Sequence, residues 1–192
     1  MATAGDLIQR LNSRIREEAY THEQLLDMVS RCQQLVNASQ QLILDSDTLV
    51  TVPHMQVYDL SLLIAEQIHV LSVQEGTRDL DKLTDWKELA YHDRQWFRRL
   101  GPRFETYAMM GRDILLLHPA KDVESSVTIV YNKLTTAFIT DDDVVEVPED
   151  SFPLLLNIAE ALLLLRDRRL ESVPYVIQRV GRELGVDLSG KN

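Results

Sequence analysis

Residues 95–131 read QWFRRLGPRFETYAMMGRDILLLHPAKDVESSVTIVY, and the punctuation of this stretch sets the fold expected for the chain. Gly101-Pro102 stops a helix, because glycine accepts the left-handed conformation that follows a last turn and proline cannot continue the hydrogen-bond ladder. Beyond the stop, RFETYAMM reads as a strand, Gly111 as a reversing turn, and DILLLHP as the returning strand. Ala120 to Ser126 then leads into SVTIVYNKL, where Val127, Ile129 and Tyr131 fall on one face at the period of two that a half-buried strand requires. The expectation is a small antiparallel meander inserted between helices.

Upstream, DWKELAYHDRQWFRRLG is read as the helix that ends at Gly101, with Trp86, Leu89, Ala90, Trp96 and Phe97 near one side. Before it, QIHVLSVQEG (67–76) alternates as a strand and breaks at Gly76, and RDLDKLT adds a shorter strand. DTLVTVPHMQVYDL is expected to form a hairpin around Pro53-His54, its β-branched residues supplying the strand preference. Nearer the N-terminus the period is helical. Leu7, Ile8, Leu11 and Ile15 share one face, and a helix over about 22–43 repeats apolar residues from Leu25 to Ile43. Thr21 stands three residues before Gln24, the spacing of a capping box.

Downstream, the acidic run ITDDDVVEVPEDSF is read as a loop and a capped helix start, with Pro148 near the first turn. The helix over about 149–169 is apolar nearly all round and belongs between layers. SVPYVIQRVGREL is read as a last amphipathic helix, begun at Ser172 and Pro174 and closed at Gly185. Residues 187–192 are expected to form a flexible tail.

The chain has 192 residues, one cysteine and a formal charge of −10. That length suffices for one domain burying about 70% of its unfolded surface without disulfides or metal. A lone cysteine and the absence of a basic, apolar leader in MATAGDLIQRLNSR suggest an intracellular product. LLLNIAEALLLL (154–165) is shorter than the roughly 20 residues of a membrane span and carries Asn157 and Glu160, so no membrane partner is expected. The acidic balance argues against a protein that grips phosphate backbones. Basic clusters at 94–103 and 166–182 interleave with apolar residues and are read as helix edges facing solvent or a subunit.

Few residues invite chemistry. Cys32 lies on the apolar stripe of its helix and is read as a buried structural thiol. His92-Asp93 resembles the adjacent ligand pair of metal-dependent phosphohydrolases, but His69 sits on an expected strand and no later helix supplies an Asp partner. Asp141-Asp142-Asp143 lacks the alternating oxygens and glycine of a calcium loop and is read as solvated. His22, His54 and His118 are scattered. Neither a phosphate-cradling glycine loop nor a G-x-S-x-G elbow occurs.

The order of these elements resembles the head-to-tail adaptor (connector) proteins of tailed bacteriophages, over most of the chain. The resemblance rests on the helix THEQLLDMVSRCQ, the elements Tyr58-Asp59-Leu60 and Arg78-Asp79-Leu80, and Trp96 followed by Gly101-Pro102. It continues through Gly111 before LLLHP, Tyr131, and VPEDSFPLLLNIAEAL. Two departures fall at one junction: an extra residue between Trp96 and Gly101-Pro102, and Ala120 where a second proline is common. The resemblance implies a non-enzymatic subunit of the phage neck. It would form a ring, dodecameric in that family, between the portal protein and a tail or nozzle protein, with genomic DNA passing through the lumen. The implied locations are the virion neck and, during assembly, the host cytoplasm. An acidic lining suits a channel through which a polyanion must slide.

The fold expected is thus α+β, an α-helical bundle with an inserted small antiparallel β-sheet, in a single domain over 1–192. The helical core covers about 4–44 and 148–186, and the β-rich insertion about 46–135. No cofactor or metal is expected. Ser172, Tyr175, Ile177, Arg179 and Arg182 are the candidate partner interface. Trp96, Phe97, Gly101 and Pro102 are the candidate structural junction. The alternatives are a non-phage helical interaction or scaffold module and a metal-dependent phosphohydrolase.

Overall fold

The computed structural model describes residues 2–15, 20–61, 63–64, 67–92, 94–166 and 173–183. The chain divides into two compact units. One takes in residues 1–43 and 135–192, the other residues 44–134.

The first unit is helical, with α1 (Ala4–Ile15), α2 (His22–Gln40), α4 (Phe152–Arg166) and α5 (Val173–Glu183). The capping box is present: the Thr21 hydroxyl accepts from Gln24 N, and the Gln24 side chain accepts from Thr21 N. Helix α2 stops at Gln40, three residues before the sequence pattern does, because Gln41 turns left-handed (φ 53°) and its N–H closes on Asn37 O. Helix α4 is the centre of the unit, and its Leu154, Leu155, Leu156, Ala159 and Leu163 pack with Leu7 and Leu11 of α1 and Val29, Cys32 and Val36 of α2. Each fully buried leucine contributes about 1.5–3 kcal/mol relative to an exposed one. Three polar side chains on the inner side of α2 hold neighbouring backbone. Gln33 Oε1 accepts from Glu146 N, Ser30 Oγ from Phe138 N, and Asn37 Oδ1 from Ile43 N.

The second unit corrects the expected fold. It is no small inserted meander on a helical bundle but a pair of four-stranded sheets, and the described chain is mixed α and β, 40% helix and 28% strand. One sheet has the order β1 (Leu44–Thr51), β8 (Ser125–Lys133), β3 (Gln67–Glu75), β4 (Arg78–Asp79), with every neighbour antiparallel. The other has the order β2 (Val57–Asp59), β7 (Ile114–His118), β6 (Thr106–Met110), β5 (Asp81–Lys82), with β5 parallel to β6. The expected hairpin at Pro53-His54 is therefore a crossing between sheets: β1 pairs with β8, and β2 with β7. Only β6 and β7 of the expected meander pair with each other, while β8 joins the opposite sheet. The physical reason is burial on both faces. Tyr107, Leu115 and Leu117 point into a core shared with Val73, Val127, Ile129 and Tyr131 of the facing sheet. Ala108 and Leu116 point the other way, under Leu89, Trp86 and Trp96.

Two local devices fix the sandwich. A register shift between Val70 and Ser72 takes Leu71 out of the ladder, and the Tyr107 hydroxyl donates to its carbonyl oxygen at 2.9 Å. Gly111 has φ 73°, as the turn from β6 to β7 demands. The helix expected to run to Gly101 is also shorter than its pattern: α3 spans Lys87–His92 and a separate 3-10 turn spans Trp96–Arg98.

Candidate functional site

Helix α5 carries the residues proposed from sequence as a partner surface. Ser172 lies outside the described residues. Val176 is buried and Val180 packs toward the helical core, so the face of α5 bearing them is turned inward. Tyr175, Ile177 and Arg182 are exposed on other faces.

Arg179 is placed differently from its exposed neighbours. Its Nη1 lies 3.5 Å from Glu160 Oε2, and its Nη2 donates to Asn157 Oδ1. Arg14 of α1 reaches the same pair, donating to Asn157 Oδ1 at 2.9 Å and lying 4.0 Å from Glu160 Oε2. Asn157 and Glu160, the two polar interruptions of the apolar run in α4, thus tie α1, α4 and α5 together. These charge-assisted contacts hold the three helices in place. Sequence reasoning noticed Asn157 and Glu160 only as marks against a membrane span. Their spacing of three on a buried helix was the signal that cationic partners face them.

In the β unit the junction residues separate. Trp96 is half-buried over the outer face of β6 and β7, 6.2 Å from the Trp86 ring. Phe97 is exposed and stacks edge-on against Trp96, with the Arg98 guanidinium over its ring. Gly101 backs onto Pro119, while Pro102 is exposed. Gln56 Nε2 donates to the carbonyls of Trp96 and Arg99, which ties this turn to the loop before β2.

Cys32, Asp143 and His22 are each held in structural surroundings. Burial pushes the Cys32 thiol up to about 12, which suppresses the thiolate that nucleophilic chemistry needs. Asp143 Oδ2 accepts from the backbone N–H of Ile139 and Thr140, and these bonds hold its carboxyl below the usual value. His22 Nε2 lies 2.6 Å from Asp141 Oδ1. Of the phosphohydrolase residues, His69 is exposed on β3 and Asp93 lies outside the described residues. Among the described residues no three His, Cys, Asp or Glu side chains converge on a metal position. An open groove of about 650 Å³ in the β unit is lined by His69, Lys82, Met109 and Arg112 among others, with Lys82 Nζ already donating to Val70 O.

No protein-family profile matches the chain, and no curated protein matches it. Among the described residues no helix is long and apolar enough to cross a membrane.

Proposed function

We propose that this chain is a structural subunit of the neck of a tailed bacteriophage, whose copies form a ring under the portal and leave a lumen for DNA. The observation that carries the reading is the interrupted helical unit. The chain begins in α1 and α2, leaves for a β sandwich over 44–134, and returns to complete the same helical core with α4 and α5. Helices, then a β-rich region, then helices is the coarse order that the resemblance to head-to-tail adaptors implies. Gly101, Gly111 and LLLHP each sit at a turn or strand of the β unit, and VPEDSFPLLL begins α4.

The interface with the portal, on this reading, is the outward face of α5 with Tyr175, Ile177 and Arg182, while Arg179 fixes the helix from behind. The net charge of −10 suits a subunit that lets a polyanion pass. Cosedimentation with portal-containing, tailless heads tests the proposal. Wild-type protein is expected to pellet with those heads and not with heads lacking the portal. Equal pelleting with both, or none with either, would remove the neck role and favour a helical interaction module of another kind.

A further inference from the structure

The β unit exposes a compact apolar surface that its own core does not use. Val52, Met55, Phe97, Leu100 and Val123 are each at least 41% exposed. They come from three segments that hydrogen bonds hold side by side. His54 N donates to Lys121 O, Gly101 N to Ala120 O, and Gln56 Nε2 to Arg99 O. Exposed apolar residues gathered in one place mark an interaction surface, whereas scattered ones need no explanation. The basic residues around it are equally concentrated: residues 94–103 carry four arginines and no acid, and only Asp122 and Glu124 flank Val123.

The chain carries the complement of this surface in its helical unit. Residues 139–150 hold six acids and no base. Within them Ile139 is 81% exposed and Val144 49%. The segment is held in a defined shape, since Asp143 closes its turn on Thr140 and Val145 N donates to Ala2 O. An apolar surface rimmed by arginine and an apolar surface rimmed by aspartate fit each other in both the buried and the charged parts.

We propose that the occupant of the arginine-rimmed surface is a second copy of this chain, which docks there through its 139–150 segment. Because the two surfaces differ, the contact is heterologous, and a heterologous contact repeated around a closing rotation generates a ring. It also answers the electrostatic difficulty of gathering copies that each carry −10, since the two surfaces that meet have opposite sign. The inference rests on the ring reading above for closure only; the contact itself is read separately by the experiment.

Full-length Leu100→Cys and Val144→Cys proteins, purified separately, are mixed at high concentration under the oxidant diamide. Buried Cys32 supplies no competing thiolate. The mixture is expected to give a disulfide-linked heterodimer at about ten times the yield of a collisional control, Tyr91→Cys with Val144→Cys, and Arg98→Glu with Arg99→Glu should remove most of that excess. Adding Asp142→Arg to the Val144→Cys partner should restore part of it. A yield equal to the control overturns the contact. So does a duplex-DNA gel shift by wild-type protein that Arg98→Glu/Arg99→Glu abolishes while cross-linking is unchanged, since the arginines would then serve a nucleic acid. Efficient cross-linking by a protein that ignores portal-containing heads leaves the contact standing and removes the neck role alone.

Discussion

Gly101 packs so closely on Pro119 that a Cβ added to it would come within 2.5 Å of the proline Cγ. The segments LGP (100–102) and LLHP (116–119) therefore meet, and the absent side chain is what lets them. Gly101 N also donates to Ala120 O, so neither segment is free to move away. Gly101→Ala should destabilise the β unit by about 1–3 kcal/mol, the usual effect of overpacking. Urea denaturation checks this, and an unchanged midpoint would mean that the contact relaxes without cost.

A second expectation concerns the most buried ion pair among the described residues. Lys121 Nζ lies 2.6 Å from Glu75 Oε1, with side chains 11% and 17% exposed, and the same ammonium donates to Ser125 Oγ. Glu75 Oε2 in turn accepts from Phe104 N. Removing one partner strands the other charge, so Glu75→Ala should cost about 3–5 kcal/mol, whereas replacing both by apolar residues should cost much less. A double variant no better than the single one would show that the hydrogen bonds to Phe104 and Ser125, not the charges, matter most.

Helix α5 separates stability from binding. Arg179→Ala should lower stability by about 1–3 kcal/mol, because Asn157 and Glu160 lose a charged partner in a half-buried place. Tyr175→Ala and Ile177→Ala should stay within about 0.5 kcal/mol of wild type, as exposed substitutions do, yet weaken attachment to portal-containing heads. Paired melts and cosedimentation assays distinguish the two classes.

These contrasts show what could be read from the residues and what could not. Thr21 with Gln24 identified the start of α2 because capping is local chemistry, and Gly111 identified its turn because its φ is positive. Strand partners were not legible. The alternation in residues 44–51 says that a strand has two faces, but its partner β8 begins at Ser125, and nothing local specifies a pairing over that distance. The helix expected to reach Gly101 failed for a related reason. Trp86, Leu89 and Trp96 have helical spacing, yet they cover the outer face of β6 and β7, a job that a short helix and a 3-10 turn do as well. At the candidate interface, Tyr175 and Ile177 could be picked from the pattern. Arg179 could be recognised as an internal contact only by setting it against Asn157 and Glu160 of another helix.

Acid should loosen the 139–143 turn. The carboxyl of Asp143 is held below its ordinary value by the N–H groups of Thr140 and Ile139. Its contribution is therefore present above the unfolded-state pKa and is lost as pH falls through the lower, folded one. An NMR titration should place this carboxyl below the usual aspartate range, and Asp143→Ala should raise amide exchange at Thr140 at neutral pH but change little once the wild-type carboxyl is protonated. A normal midpoint would contradict the turn as described.

The most direct measurement is negative-stain electron microscopy of the full-length protein incubated with portal-containing, tailless heads, at low and at high salt. A ring with a central hole, seated at the portal vertex in at least one of the two conditions, is the predicted result. Heads that stay bare at the portal under both conditions, while the protein remains a compact monomer, would contradict it.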